Sequence, residues 1–292
     1  MKKKIVVPVL TVLSLLLVVS IGFNIYFGVC DTIPSSMWNG YSVYTMEAGI
    51  LKNNLEFIDG EDIDIEYDFE NSEYPKLIDA YKIDETAGSG SEFERALNLM
   101  NEYAPRLMHK SDYDNHIEQS AIALLEYSLD NKNQGINCRA KAQIFNEMCL
   151  ALDIYSRKVW LMPNSEYDGD CHVVNEIWDS ELNKWIMLDI TNNQYWIDED
   201  GTPLSILEIR TKGAMQEFCT PVQPGDSLEN LEQLKSNYIG SFLYIMKNMN
   251  CIVYLERYSV GDNGGCVLCP KNFEADYDKF ISKEACERSP IE

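Results

Sequence analysis

Cys138, His172 and Asp189 are the residues whose types and settings could together run nucleophilic acyl transfer. Cys138 follows Gln134-Gly135-Ile136-Asn137 and opens a stretch in which Ala142, Phe145, Cys149 and Leu152 share one stripe, which predicts a helix from Cys138 to about Asp153. A helix N-terminus carries partial positive charge and unpaired amides, so it favours thiolate over thiol and can turn the cysteine's own backbone amide toward an oxyanion. A solitary cysteine is more often a small buried residue, so this reading depends on its partners. A base working near neutral pH must come from His109, His116 or His172. The first two flank a turn rich in Lys110, Asp112 and Asp114 and read as solvated. His172 begins an apolar strand that continues Val173-Val174-Asn175-Glu176-Ile177-Trp178. With Ser180-Glu181 as a two-residue turn, His172 falls directly opposite Asp189, whose carboxylate can fix the imidazole tautomer and stabilise its charged form.

The elements that must hold these groups are helices first and strands after. Gly88-Ser89-Gly90 breaks the chain, and Ser91 with Glu94 is a capping box opening a helix through Phe93, Leu97 and Met100 toward Met108, with Pro105 kinking or ending it. Ile117, Ala121, Leu124, Leu125 and Leu129 predict a second helix, and the one opened by Cys138 is the third. Strands follow at Arg157 to Met162, Cys171 to Asp179 and Lys184 to Thr191, then a short helix near 203–211. Helices followed by an antiparallel sheet predict the α+β class. A helix from about Ser227 to Met249 and a strand from Cys251 to Tyr258 suggest a smaller α+β appendage.

Earlier in the chain, Ile63, Ile65, Tyr67 and Phe69 alternate with acids, the pattern of an edge strand with one buried face; the stretch lacks the glycine and closing glutamate of a calcium loop. Lys2, Lys3 and Lys4 precede an uncharged apolar run from Ile5 to Cys30, long enough for a membrane anchor with its N-terminus in the cytoplasm and the body outside. A cleaved signal segment and lipidation at Cys30 are the alternatives. The expected organisation is thus 1–30 anchor or signal, 31–90 stalk or accessory segment, 91–212 main domain and 213–292 appendage.

The chain has 47 acidic against 24 basic residues, a net charge of −23, which excludes nucleic acid and anionic lipid as partners bound through basic patches. Of nine cysteines, Cys266-Val267-Leu268-Cys269 is the pair closest to a metal or redox motif, but no second such pair or nearby histidine completes a zinc site, so structural use is expected. Cys149 reads as packing, and Cys171 should face away from His172. No metal or cofactor is called for.

The order of a helix-opening cysteine, then His172-Val173-Val174-Asn175-Glu176 on one strand, then Trp185-Ile186-Met187-Leu188-Asp189-Ile190-Thr191 on the next resembles the transglutaminase-like superfamily over residues 91–212. The passage Leu150 to Val159 is similar to that family's link from catalytic helix to first strand. Val174 and Ile190 stand where the family often has tryptophan and proline. The resemblance implies a papain-like core and a protein or peptide substrate. Thiolate attack would fall on a carboxamide or peptide carbonyl, with crosslinking, deamidation or proteolysis as the outcome. By looser analogy with papain-type enzymes, Gln134 or Asn137 would add an oxyanion donor. A surface-anchored binding module that keeps the fold without turnover is the alternative.

Overall fold

A computed structural model describes residues 12–22, 40–131, 133–165, 167–273 and 276–291. The chain divides into two compact units, 1–45 and 46–292. Residues 12–22 are helical, with Leu13, Leu16, Leu17 and Val18 exposed. No helix among the described residues is long and apolar enough to cross a membrane. The remainder of the run expected to span one, Ile5 to Cys30, lies outside the described residues, as do the first nine residues of the expected stalk.

The elements in chain order are α1 (Gly40–Asn53), β1 (Glu66–Tyr67), α2 (Tyr74–Tyr81), α3 (Ile83–Ala87), α4 (Glu92–Tyr103), α5 (Ala121–Ser128), α6 (Cys138–Leu150), β2 (Ser156–Leu161), β3 (His172–Asp179), β4 (Lys184–Asp189), β5 (Gln194–Ile197), α7 (Ile206–Met215), β6 (Thr220–Val222), α8 (Leu231–Asn237), α9 (Ile239–Lys247), β7 (Ile252–Tyr254), β8 (Arg257–Tyr258), β9 (Asp262–Asn263), β10 (Cys266–Leu268) and α10 (Lys283–Glu287). The α+β class is as expected, and α4 starts where its capping box says: Ser91 Oγ accepts from the Glu94 amide and Glu94 reaches back to the Ser91 amide. It ends at Tyr103, short of Pro105, whose ring cannot continue a hydrogen-bonded turn.

Seven strands form an antiparallel sheet in the order β10-β7-β2-β3-β4-β5-β6. The region expected as a separate C-terminal appendage therefore supplies three of its strands, β6 on one edge and β7 with β10 on the other. The expected strand from Cys251 to Tyr258 is split, because β8 leaves to pair with β9 and, in parallel, with β1. The acidic stretch expected as an edge strand contributes only the two residues of β1.

The core lies where α4, α5 and α6 meet the sheet, with Leu99, Met100, Leu124, Leu125, Phe145 and Met148 packed against Ile177, Ile186 and Leu188. Helix α6 is buried from Ala140 to its end, polar residues included. Such groups need partners to avoid a desolvation penalty. Glu147 Oε1 accepts from the Ala121 amide at 3.0 Å and from Gln143 Nε2 at 2.6 Å, and Lys158 on β2 donates to Gln143 Oε1. Asn175 Nδ2 donates to the Ala142 carbonyl at 3.0 Å, pinning β3 to α6. Its neighbour Glu176 accepts from Arg157 at 2.6 Å and from the Ile206 amide at 2.8 Å, tying β3 to β2 and to the start of α7. Two residues of the motif after His172 thus fix the strand that carries it.

Candidate active site

Asn137 caps α6 in extended backbone, its Oδ1 accepting from the Ala140 amide at 3.0 Å, so Cys138 is the first helical residue, as expected. Its backbone N–H has no intrahelical acceptor by helix geometry. The cysteine is half-buried at the mouth of a cleft of about 790 Å³, and His172 lines the same cleft.

The hairpin that brings His172 to Asp189 is not the one expected. Asp179 pairs with Lys184, so the connection spans residues 180–183, and Asn183 takes a left-handed φ of 51° while Asp179 Oδ1 accepts from the Leu182 amide at 2.8 Å. The register, with Asn175 opposite Leu188, sets Val174 rather than His172 across from Asp189. This is a slip of two residues, and side chains alternate with period two, so His172 and Asp189 keep a common face and meet diagonally. His172 Nε2 lies 2.8 Å from Asp189 Oδ2, both side chains buried.

Asp189 is held from several sides. Its Oδ1 accepts from the amides of Thr191 at 3.0 Å and Asn192 at 3.4 Å, and its Oδ2 also accepts from Asn192 Nδ2 at 2.7 Å. Burial pushes its carboxyl up, but His172 and these donors outweigh burial and hold it below the ordinary value. Burial likewise pulls the imidazole down, yet the charge and hydrogen bond of Asp189, with a smaller effect of Cys138, lift it to about 10. Nε2 is the ring nitrogen committed to Asp189. A second cation stands behind the cysteine: Lys141, one turn along α6, is buried and pulled down to about 8 by desolvation, against the opposing pull of Asp189 and Cys138.

The two expected oxyanion donors are placed differently. Gln134 accepts from the Asn131 side chain and does not line the cleft. Asn137 lines it, but its Nδ2 donates to the Tyr113 carbonyl at 3.3 Å and to Asn115 Oδ1 at 3.2 Å while its Oδ1 caps the helix.

Several cleft residues were not singled out from the sequence. His109, read as solvated, lines the cleft because its backbone bridges Ile136 beside the start of α6. Cys171, expected to face away, precedes β3 and is among the residues that line the cleft. Tyr244, on α9, sets its ring edge-on to His172 at 5.4 Å and donates to Asp170 at 3.3 Å. Asn192 was the most readable of them, since an aspartate followed by polar residues at i+2 and i+3 is an Asx-turn signature.

Residues 79–190 match the family model of the transglutaminase-like superfamily, a span that contains Cys138, His172 and Asp189. No curated protein and no solved structure matches the chain.

Proposed function

We propose that the transglutaminase-like domain is a cysteine acyl-transfer enzyme acting on protein or peptide carboxamide or amide groups through a thioester. The observation that carries this is the 2.8 Å bond from the His172 imidazole to a buried Asp189, with Cys138 at a helix N-terminus lining the same cleft as the ring. In this reading Cys138 is the nucleophile, His172 the base and Asp189 the orienter. His172 takes the Cys138 proton, and a ring that holds a proton to about pH 10 keeps it for the leaving group. The thiolate attacks the carbonyl carbon, and the oxyanion forms toward the Cys138 amide. His172 then gives its proton to the departing ammonia or amine. A water or amine, deprotonated by His172, attacks the thioester and frees the thiolate.

Labelling with a chloroacetamide electrophile tests the assignment. Cys138 should be alkylated selectively at neutral pH and this selectivity should vanish in His172→Ala. Equal, slow labelling of several cysteines in the unaltered protein contradicts the triad. Ammonia release from a glutamine peptide, lost in Cys138→Ala, reports turnover, and its absence despite selective labelling favours a binding module. We also infer that the run from Ile5 to Cys30, behind three lysines, anchors the chain with its body outside the cytoplasm. Retention in membranes washed with alkaline carbonate supports that anchor, and release contradicts it.

A further inference from the structure

A second cavity, about 480 Å³, adjoins the cleft. Its base is one face of the sheet: Trp160 on β2 pairs with Val253 on β7, and Met162 extends β2 through a bond from its amide to the Cys251 carbonyl at 2.9 Å. Alternation of side chains along each strand then puts Trp160, Met162, Val253 and Leu255 on the same side. Tyr277 and the glycines at 264 and 265 complete the walls. A Cβ at Gly264 would stand 3.2 Å from the Glu256 carboxylate, and φ there is +63°, so this part of the wall is bare backbone by construction. Leu255 is buried, whereas Trp160, Met162, Val253 and Tyr277 are each half-exposed.

Two residues, Arg139 and Trp160, line both this cavity and the cleft. Arg139 directly follows Cys138 on α6 and is shared by the two spaces. Apolar side chains held half-exposed in a concavity of this size are what a ligand's own apolar group covers favourably. The side-chain polar groups of its lining residues are the Arg139 guanidinium, the Trp160 indole N–H and the Tyr277 hydroxyl.

We propose that this cavity is a specificity subsite that takes a large apolar side chain, aromatic or branched aliphatic, next to the reacting carboxamide of a peptide substrate. The inference rests on the acyl-transfer reading for its substrate class. Small polar peptides would enter the cleft without filling the cavity and so would be poorer substrates.

The test uses the full chain and a series of short glutamine peptides that carry phenylalanine, leucine, serine or glycine at each position flanking the glutamine. With ammonia release as readout, phenylalanine or leucine on one side should raise kcat/KM over glycine by at least about tenfold. Val253→Phe, which fills the cavity, should collapse that ratio toward one. Met162→Ala, which enlarges it, should shift preference toward the bulkier residue. Each ratio is measured within one variant, so a loss of folded protein cancels. Equal kcat/KM across the series in the unaltered chain, or a ratio unmoved by Val253→Phe, overturns the subsite while leaving the acyl-transfer reading intact. If no peptide turns over, binding of the same peptides to Cys138→Ala followed by calorimetry decides. Tighter binding of the phenylalanine peptide, lost in Val253→Phe, retains the subsite and removes the chemistry. No discrimination removes both.

Discussion

His172 is the residue on which the chemistry and the stability of the site converge. The folded protein holds its imidazole proton up to about pH 10, whereas an unfolded chain releases it near 6.5. In that window the folded state binds more protons, so this group's stabilisation is complete below pH 6.5 and is lost as pH rises through 10. Two other buried groups contribute in neighbouring windows. Glu147, pushed by burial up to about 7 from 4.5, makes stability fall between those values, and Lys141, pulled down to about 8 from 10.5, makes it rise between 8 and 10.5. Between pH 7 and 8 the His172 term therefore stands clear of both. The thermal midpoint should fall with pH over that interval, and His172→Gln should flatten the decline; an unchanged slope contradicts the raised imidazole. Asn192 acts through Asp189, donating at 2.7 Å to the oxygen that also bonds His172. Asn192→Ala removes a charge-assisted bond of about 1.5–3 kcal/mol. It should lower kcat roughly 10- to 100-fold with little change in KM, and replacement by Asp should not rescue it, because a second carboxylate repels the first. Cys138 and His172 were readable because a capped helix start and an apolar strand leave local marks. Tyr244 and His109 left none: each reaches the cleft through a tertiary bridge, from α9 or from the loop before α5.

At the scale of elements, period decided what could be read and what could not. The common face of His172 and Asp189 follows from strand alternation and survived a hairpin two residues longer than expected, whereas a slip of one residue would have separated them. The same alternation separates Cys266 from Cys269, which a reading of spacing alone had grouped. Three residues apart on a strand they point to opposite faces, and Cys269 instead meets Cys251 across the β7–β10 pair, sulfur to sulfur at 3.3 Å. The hydrogen bond with Cys251, and less so the buried Arg210 guanidinium held by the carbonyls of Met249 at 2.8 Å and Asn54 at 2.5 Å, lower the Cys269 thiol and favour there the thiolate that disulfide exchange requires. Glutathione disulfide, in taking two electrons from the pair, should couple Cys251 to Cys269. A linkage closing a loop of roughly 15–20 residues adds about 3 kcal/mol in the chain-entropy model. The thermal midpoint of the oxidised protein should rise by roughly 5–10 °C, and Cys269→Ser should abolish the rise. Peptide mapping without reductant reads the pairing directly, and a Cys266–Cys269 linkage would contradict the sheet register.

For the whole molecule, motif and fold have different extents. The Cys138, His172 and Asp189 motif ends at Asp189, and the family match ends at residue 190. Yet the sheet that positions it is completed by β6, β7 and β10, drawn from residues 220–268. A strand near β7 was legible from Cys251 onward, but its pairing with β2 was not, because strands of three residues are too short for a pattern to specify a partner. The consequence is physical. Without residues beyond 212, β2 loses its partner β7, β5 loses β6, and the buried Arg210 loses the Met249 carbonyl. A chain of residues 46–212 would expose two open sheet edges and the apolar surface of Trp196, which stacks on Phe242 at 5.3 Å. Such a fragment should lack a cooperative thermal transition and bind a hydrophobic dye, while residues 46–292 should melt in one step with no dye binding before the transition. A cooperative melt of the shorter fragment would mean that the region after 212 is an addition to the fold rather than a part of it. Selective chloroacetamide labelling of Cys138 in the same two chains separates structure from chemistry: it should survive only in the longer one, where α9 supplies Tyr244 against His172.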